Sequence, residues 1–187
     1  RKPNQGRFRL VFLSRIHHKK GLEYLFEALA QWDYDWALTI FGEGDPDYKK
    51  SLEIRALQLG ISGSITWRGW IDGDNKYDQL AAADLFVLPS LNENFAMVVL
   101  EALSVGTPVL VSDQVGLKDY VAEKGFGWIC KPTATDLRKK IEEACLDQHK
   151  RQTIHLKAPE AVRSDFSAAV LVDAYRHTYQ KVADGLI

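Results

Sequence analysis

The chain has 187 residues, 46% of them hydrophobic, and its 24 Lys and Arg against 25 Asp and Glu leave a formal charge of -1. A chain of this length buries roughly 70% of its unfolded surface and needs no disulfide or metal to hold a core. Its balanced charge excludes a surface basic throughout, of the kind that binds nucleic acid or an anionic membrane.

Short apolar runs, often β-branched, recur along the chain: residues 8–13, 36–41, 64–68, 84–88, 108–112 and 127–130. They are predicted to be buried strands. Helix-period stretches lie between and after them at 22–32, 47–59, 76–83, 96–105, 117–122 and 134–146. Strand and helix alternate, which requires crossover connections and places helices on both faces of a mostly parallel sheet. The expected fold is therefore α/β, a doubly wound parallel sheet. Beyond Asp147 the strand pattern stops. A helix near 151–162, interrupted at Pro159, and another near 166–183 should finish the chain, packing across the domain or onto a neighbour.

No repeat, low-complexity tract or Pro/Gly-rich linker divides the sequence, so residues 1–187 are expected to form one domain. No apolar run approaches the roughly 20 residues of a membrane span. Two cysteines, Cys130 and Cys145, and no signal-peptide pattern point to a reducing, cytoplasmic setting with free thiols. Met97 is the only methionine and the chain opens at Arg1, so it is expected to be processed or cut from something longer.

Open parallel sheets bind ligands outside the carboxyl ends of their strands, which directs attention to the loops after the first four. The first, Ser14-Arg15-Ile16-His17-His18-Lys19-Lys20-Gly21, is neither a dinucleotide nor a Walker-type phosphate loop. It places a forked donor, Arg15, and a point charge, Lys20, where they suit a diphosphate; a solvated basic loop would look the same. His17 and His18 have no further ligand at metal spacing and are expected to be surface histidines, with no metal site.

In the fourth loop Pro89 ends the strand, and Asn92 or Asn94 can cap the next helix, whose first amides, from Phe95 through Ala96 to Met97, suit a phosphate. Glu93 and Glu101 are eight positions apart, roughly 12 Å of helical rise. A glycosidase pair sits about 5 to 9.5 Å apart across one bond, so these glutamates would instead hold two regions of an elongated ligand. Glu101 lies among Val98, Val99, Leu100, Ala102 and Leu103 and needs a partner if buried; sugar or ribose hydroxyls would serve. An exposed helix glutamate and a loop charge is the other possibility.

Together these residues resemble the C-terminal, donor-binding domain of GT-B-type glycosyltransferases, specifically the retaining family 4, or group 1. The match runs from Phe8 to about Tyr175. It rests on Arg15 with Lys20-Gly21, Phe41-Gly42-Glu43-Gly44, Ala83-Asp84 through Pro89-Ser90, and Glu93 with Glu101-Ala102-Leu103 followed by Gly106-Thr107-Pro108. The resemblance implies a Rossmann-like domain, one half of a GT-B fold, with C-terminal helices. It implies that Arg15 and Lys20 bind the donor diphosphate, that Glu93 contacts the transferred sugar and that Glu101 holds the ribose. Gly42 and Trp70 would line the base pocket, and Asn94, Phe95, Ala96 and Met97 would lie along the sugar and phosphate.

The implied activity is retaining transfer of a sugar from a nucleotide-diphosphate sugar to an acceptor hydroxyl, with no metal or other cofactor. Such enzymes build polysaccharide, lipopolysaccharide or glycolipid in the cytoplasm. The implied partner is an N-terminal acceptor-binding domain, through which any membrane contact would run, and the isolated donor domain should turn over little. Asn94-Phe95-Ala96 departs from the family's Gly-Phe-Gly, Asp119 stands where a glutamate is usual, and Ala168 replaces a tryptophan. Two alternatives are a nucleotide-sugar epimerase of GT-B architecture and a non-catalytic nucleotide-sugar or phosphate sensor.

Overall fold

The computed structural model describes residues 6–185; Arg1, where the chain opens, lies outside them. Six strands, β1 (Phe8–Leu13), β2 (Trp36–Phe41), β3 (Ile65–Gly69), β4 (Leu85–Leu88), β5 (Val109–Ser112) and β6 (Gly127–Cys130), form one parallel sheet in the order β3-β2-β1-β4-β5-β6. The helices are α1 (Leu22–Ala30), α2 (Pro46–Gln58), α3 (Gly73–Ala81), α4 (Met97–Ser104), α5 (Lys118–Lys124), α6 (Ala134–Leu146), α7 (Gln148–Asp165) and α8 (Ala168–Ala183). The doubly wound α/β expectation is met, and strand order reverses between β1 and β4.

Every residue of β4 and β5 is buried, which is why β4 and, up to Ser112, β5 read as apolar runs: helices cover the sheet on either side. On one side α1 packs with α2 and α6; on the other α4 packs with α3 and α7. Helix α1 turns Leu22, Leu25, Phe26 and Leu29 inward at helical spacing. Phe12, Phe26 and Phe86, all fully buried, fill the centre. Asp45 caps α2, accepting from the Tyr48 N–H at 2.8 Å ahead of Pro46, and Thr133 caps α6.

The end of the chain corrects one expectation: α7 runs unbroken from Gln148 to Asp165 with Pro159 inside it. Proline removes one intrahelical hydrogen bond, but Ile154, Ala158 and Val162, four residues apart, are buried on one stripe that holds the helix across that gap. The approach is close, because a Cβ on Gly106 (φ +81°) would come within 2.7 Å of the His155 carbonyl oxygen. Helix α8 starts two residues later than expected, where Ser167 accepts from the Val170 N–H at 3.3 Å. Its described side chains are all exposed, so α7 packs onto the sheet layer and α8 does not.

Among the described residues no helix is long and apolar enough to cross a membrane. Cys130 and Cys145 are free thiols, as expected.

Candidate functional site

At the reversal point the helices that follow β1 and β4 pass to opposite sides of the sheet, and a crevice opens at the carboxyl ends of the strands. The loop after β1 is stitched sideways to the loop after β2. Ser14 N–H donates to Phe41 O at 3.2 Å and Ile16 N–H to Glu43 O at 2.9 Å. Gly42 makes this possible: at φ +128° its Cα faces Ser14 O so closely that a Cβ would lie 1.9 Å away. The chain then makes a short 3-10 turn, His18–Lys20, that delivers Lys20 to the crevice.

The resulting cleft, about 350 Å³, brings together Arg15, Lys20, Gly42, Trp70, Glu93, Ala96 and Met97. Its cations are Arg15, Lys20 and Lys76; its carboxylates are Asp72 and Glu93; Leu13, Trp70, Ile71 and Val98 supply apolar wall. Lys20 and Glu93 form an ion pair with both side chains mostly buried. Arg15 is exposed and has no ion pair or hydrogen-bond partner among the described residues.

Three expected site residues lie off this cleft. Asn94 lines a neighbouring groove. Phe95 is half-exposed and meets Phe166 edge-on at 6.2 Å, beside the end of α7. Glu101 is bound by Lys76, whose Nζ donates to Oε1 at 2.8 Å.

The entry to α4 also differs from expectation, since neither Asn92 nor Asn94 caps it. The N-cap is Ala96 at φ +67°, ψ +66°, with no side-chain cap hydrogen bond. Glu93 N–H donates to Gln114 O at 3.1 Å and Gly116 N–H to Glu93 O at 2.9 Å, which pins Glu93 in an extended bridge with Val115. That bridge leaves too little chain to place an asparagine at the cap, and the backbone turns through Ala96 instead. Helical rise therefore does not measure the Glu93 to Glu101 separation, because only Glu101 is on the helix. Ala96 is the only non-glycine residue with positive φ among the described residues.

Lys76 was missed. It is the fourth residue of α3, and the signal for it was the need of Glu101 for a partner. Its role is filled by an ammonium rather than by ligand hydroxyls alone. His17 and His18 are both exposed; His18 lies against Tyr48 with ring centres 3.7 Å apart and planes tilted by 42°, and its Nδ1 lies 3.6 Å from Glu23.

Residues 1–161 match the family model of glycosyl transferases group 1. The chain belongs to the group 1 glycosyltransferases. An uncharacterized glycosyltransferase of Methanocaldococcus jannaschii is 31% identical over 162 residues, which is 84% of this chain and 41% of that protein. A lipopolysaccharide core biosynthesis glycosyltransferase of Rhizobium meliloti is 30% identical over 169 residues, 89% of this chain and 48% of the relative. The crystal structure of Anabaena HepE in complex with UDP-glucose superposes with a TM-score of 0.82 at 25% identity, over 94% of this chain and 49% of that one. This group 1 chain thus spans about half the length of the proteins it matches, and the alternation of strand and helix carries a GT-B-type, Rossmann-like fold.

Proposed function

We propose that the chain is the donor-binding, C-terminal half of a retaining glycosyltransferase, which transfers a sugar from a nucleotide-diphosphate sugar to an acceptor hydroxyl. The observation that carries this is the shared cleft: Arg15, Lys20, Glu93 and the start of α4 line it together with Gly42, Trp70 and Ile71. Its apolar wall suits a base and ribose, and its cations a diphosphate. A solved relative in complex with UDP-glucose supports a donor of this class.

In this reading the bond from the sugar's anomeric carbon to the diphosphate oxygen breaks and a bond to the acceptor oxygen forms. Negative charge grows on the departing diphosphate. Arg15, Lys20 and the first amides of α4 stabilise it from fixed positions, the effect that usually contributes most to catalysis. Glu93 orients the donor sugar, and Glu101 serves the ribose end. The acceptor site and any general base belong to an N-terminal domain, so the 187 residues alone bind donor and turn over little. The lipopolysaccharide relative favours a role in polysaccharide, lipopolysaccharide or glycolipid assembly, carried out in the cytoplasm and touching a membrane, if at all, through the other domain.

Calorimetry with UDP, GDP and ADP tests the proposal. At least one should bind, and Arg15→Ala, Lys20→Ala and Glu101→Ala should each weaken it, roughly tenfold for a lost charge-assisted contact. Absence of binding to all three, or binding indifferent to these substitutions, would rule the donor site out.

A further inference from the structure

A second groove, about 270 Å³, lies against the cleft on the far side of the Lys20–Glu93 ion pair. It shares Arg15, Lys20 and Glu93 with the cleft and adds His17, Lys19, Asn92 and Asn94. The two spaces differ in kind. Where the cleft has tryptophan, isoleucine and valine, the groove has no apolar side chain.

The charges of the groove do not cancel. Its single carboxylate, Glu93, is already engaged by Lys20. Arg15 and Lys19 have no ion pair among the described residues, which leaves two cations facing the same space. His17 adds a donor: its Nδ1 accepts the Lys19 N–H at 3.1 Å, so the neutral ring carries its hydrogen on Nε2. The loop is fixed by its backbone. Leu91 N–H donates to Lys19 O at 2.7 Å, tying the β4 loop to the β1 loop, and Lys20 N–H donates to His17 O at 2.8 Å within the β1 loop. A neutral sugar presents hydroxyls that both donate and accept, whereas Arg15, Lys19 and the His17 Nε2 offer only donors. Their natural complement is an anion.

We propose that this groove is a subsite for an acidic group, a sugar carboxylate or phosphate ester, held beside the transferred sugar. This rests on the donor reading for its position next to the reacting centre and shares Arg15 with it; Lys19 and His17 belong to the groove alone. The acid can be carried by the donor sugar, as in a uronic acid, or by the acceptor, as in a sugar phosphate.

The test is amide NMR of the 187-residue chain titrated with glucuronate and glucose 6-phosphate, against glucose and methyl glucoside as neutral controls. The acidic sugars should shift the amides of His17, Lys19, Asn92 and Asn94 at concentrations roughly threefold to tenfold lower than the neutral ones. The difference should shrink on raising salt and vanish in both Lys19→Glu and the milder Lys19→Ala. Equal response to acidic and neutral sugars, no response at these amides, or indifference to both Lys19 variants would overturn the proposal. Nucleotides are titrated separately and read at Gly42 and Trp70, so failure of the donor reading leaves a distinct record. To assign the source, UDP-glucuronate is compared with UDP-glucose, and glucose 6-phosphate is added to chain saturated with UDP. A gain in the first places the acid on the donor, a gain in the second on the acceptor, and a gain in neither counts against the subsite.

Discussion

Lys76 donates a 2.8 Å hydrogen bond to Glu101 with only 19% and 23% of the two side chains exposed, clasping α3 to α4 beneath the cleft. A carboxylate this sheltered suffers when its cation is removed. Lys76→Ala is expected to cost about 1 kcal/mol, near the upper end for a pair still touched by water. Glu101→Ala should cost a similar amount. The double variant should lose about 0.5 kcal/mol less than the sum, since one interaction is removed twice. Urea denaturation of the four proteins closes the cycle, and strict additivity would show the pair to be uncoupled.

Ala96 holds φ +67° at the start of α4, a conformation glycine adopts freely and an L side chain resists. Ala96→Gly should relieve about 1 kcal/mol or more of backbone strain, offset in part by the freer unfolded chain and the lost methyl, for a net gain of about 0.5 kcal/mol. Ala96→Val should lose about 2 kcal/mol, because β-branching makes positive φ much worse. Thermal melts of both variants decide it: the two substitutions must move stability in opposite directions.

Burial pushes the Cys130 thiol up from 9.0 to about 12, with Asp136 and Asp113 adding to the effect. A folded value above the unfolded one means the folded protein keeps a proton the unfolded chain gives up. Its contribution to stability should therefore be intact below about pH 9 and fall as pH rises from there toward 12, and Cys130→Ala should make the alkaline slope shallower. At pH 8 the folded protein should leave Cys130 unmodified by a thiol reagent, and modification should follow only on unfolding.

Asp165, at the end of α7, accepts from Lys124 Nζ at 2.7 Å and from Tyr120 OH at 3.0 Å. The Lys124 hydrogen bond, then that of Tyr120, holds its carboxyl below its ordinary value of 3.8. Its contribution is therefore complete above about pH 4 and lost as pH falls through the depressed folded value. Asp165→Asn should lower the melting temperature more at pH 7 than at pH 2, because the loss shrinks as pH falls toward the depressed folded value. An equal loss at both values would trace the effect to packing instead.

The strands were legible because burial on both faces leaves only apolar residues in β4 and only Ser112 as a polar one in β5, and helix spacing gave α6 to the residue. That Arg15, Lys20 and Glu93 share one cleft was legible because they sit in loops that a parallel sheet must place side by side. What escaped depended on contacts between distant segments. Pro159 signals a break locally, and only the packing of Ile154, Ala158 and Val162 overrides it. Asn92 and Asn94 have the chemistry of a cap, but hydrogen bonds from Glu93 to Gln114 and from Gly116 to Glu93 decide where the helix can begin. Lys76 needed knowledge that α3 lies on α4, which no spacing within either helix reveals.

In the proposed donor site the Lys20–Glu93 pair would act as a point of exchange. A lysine has one charge to share, so an anion that draws Lys20 toward itself leaves Glu93 without its counterion and ready to accept hydroxyl donors. Occupancy by an anion and by a polyol thus become mutually reinforcing through a single ammonium group, and a polyol arriving alone must compete with that ammonium for the same carboxylate.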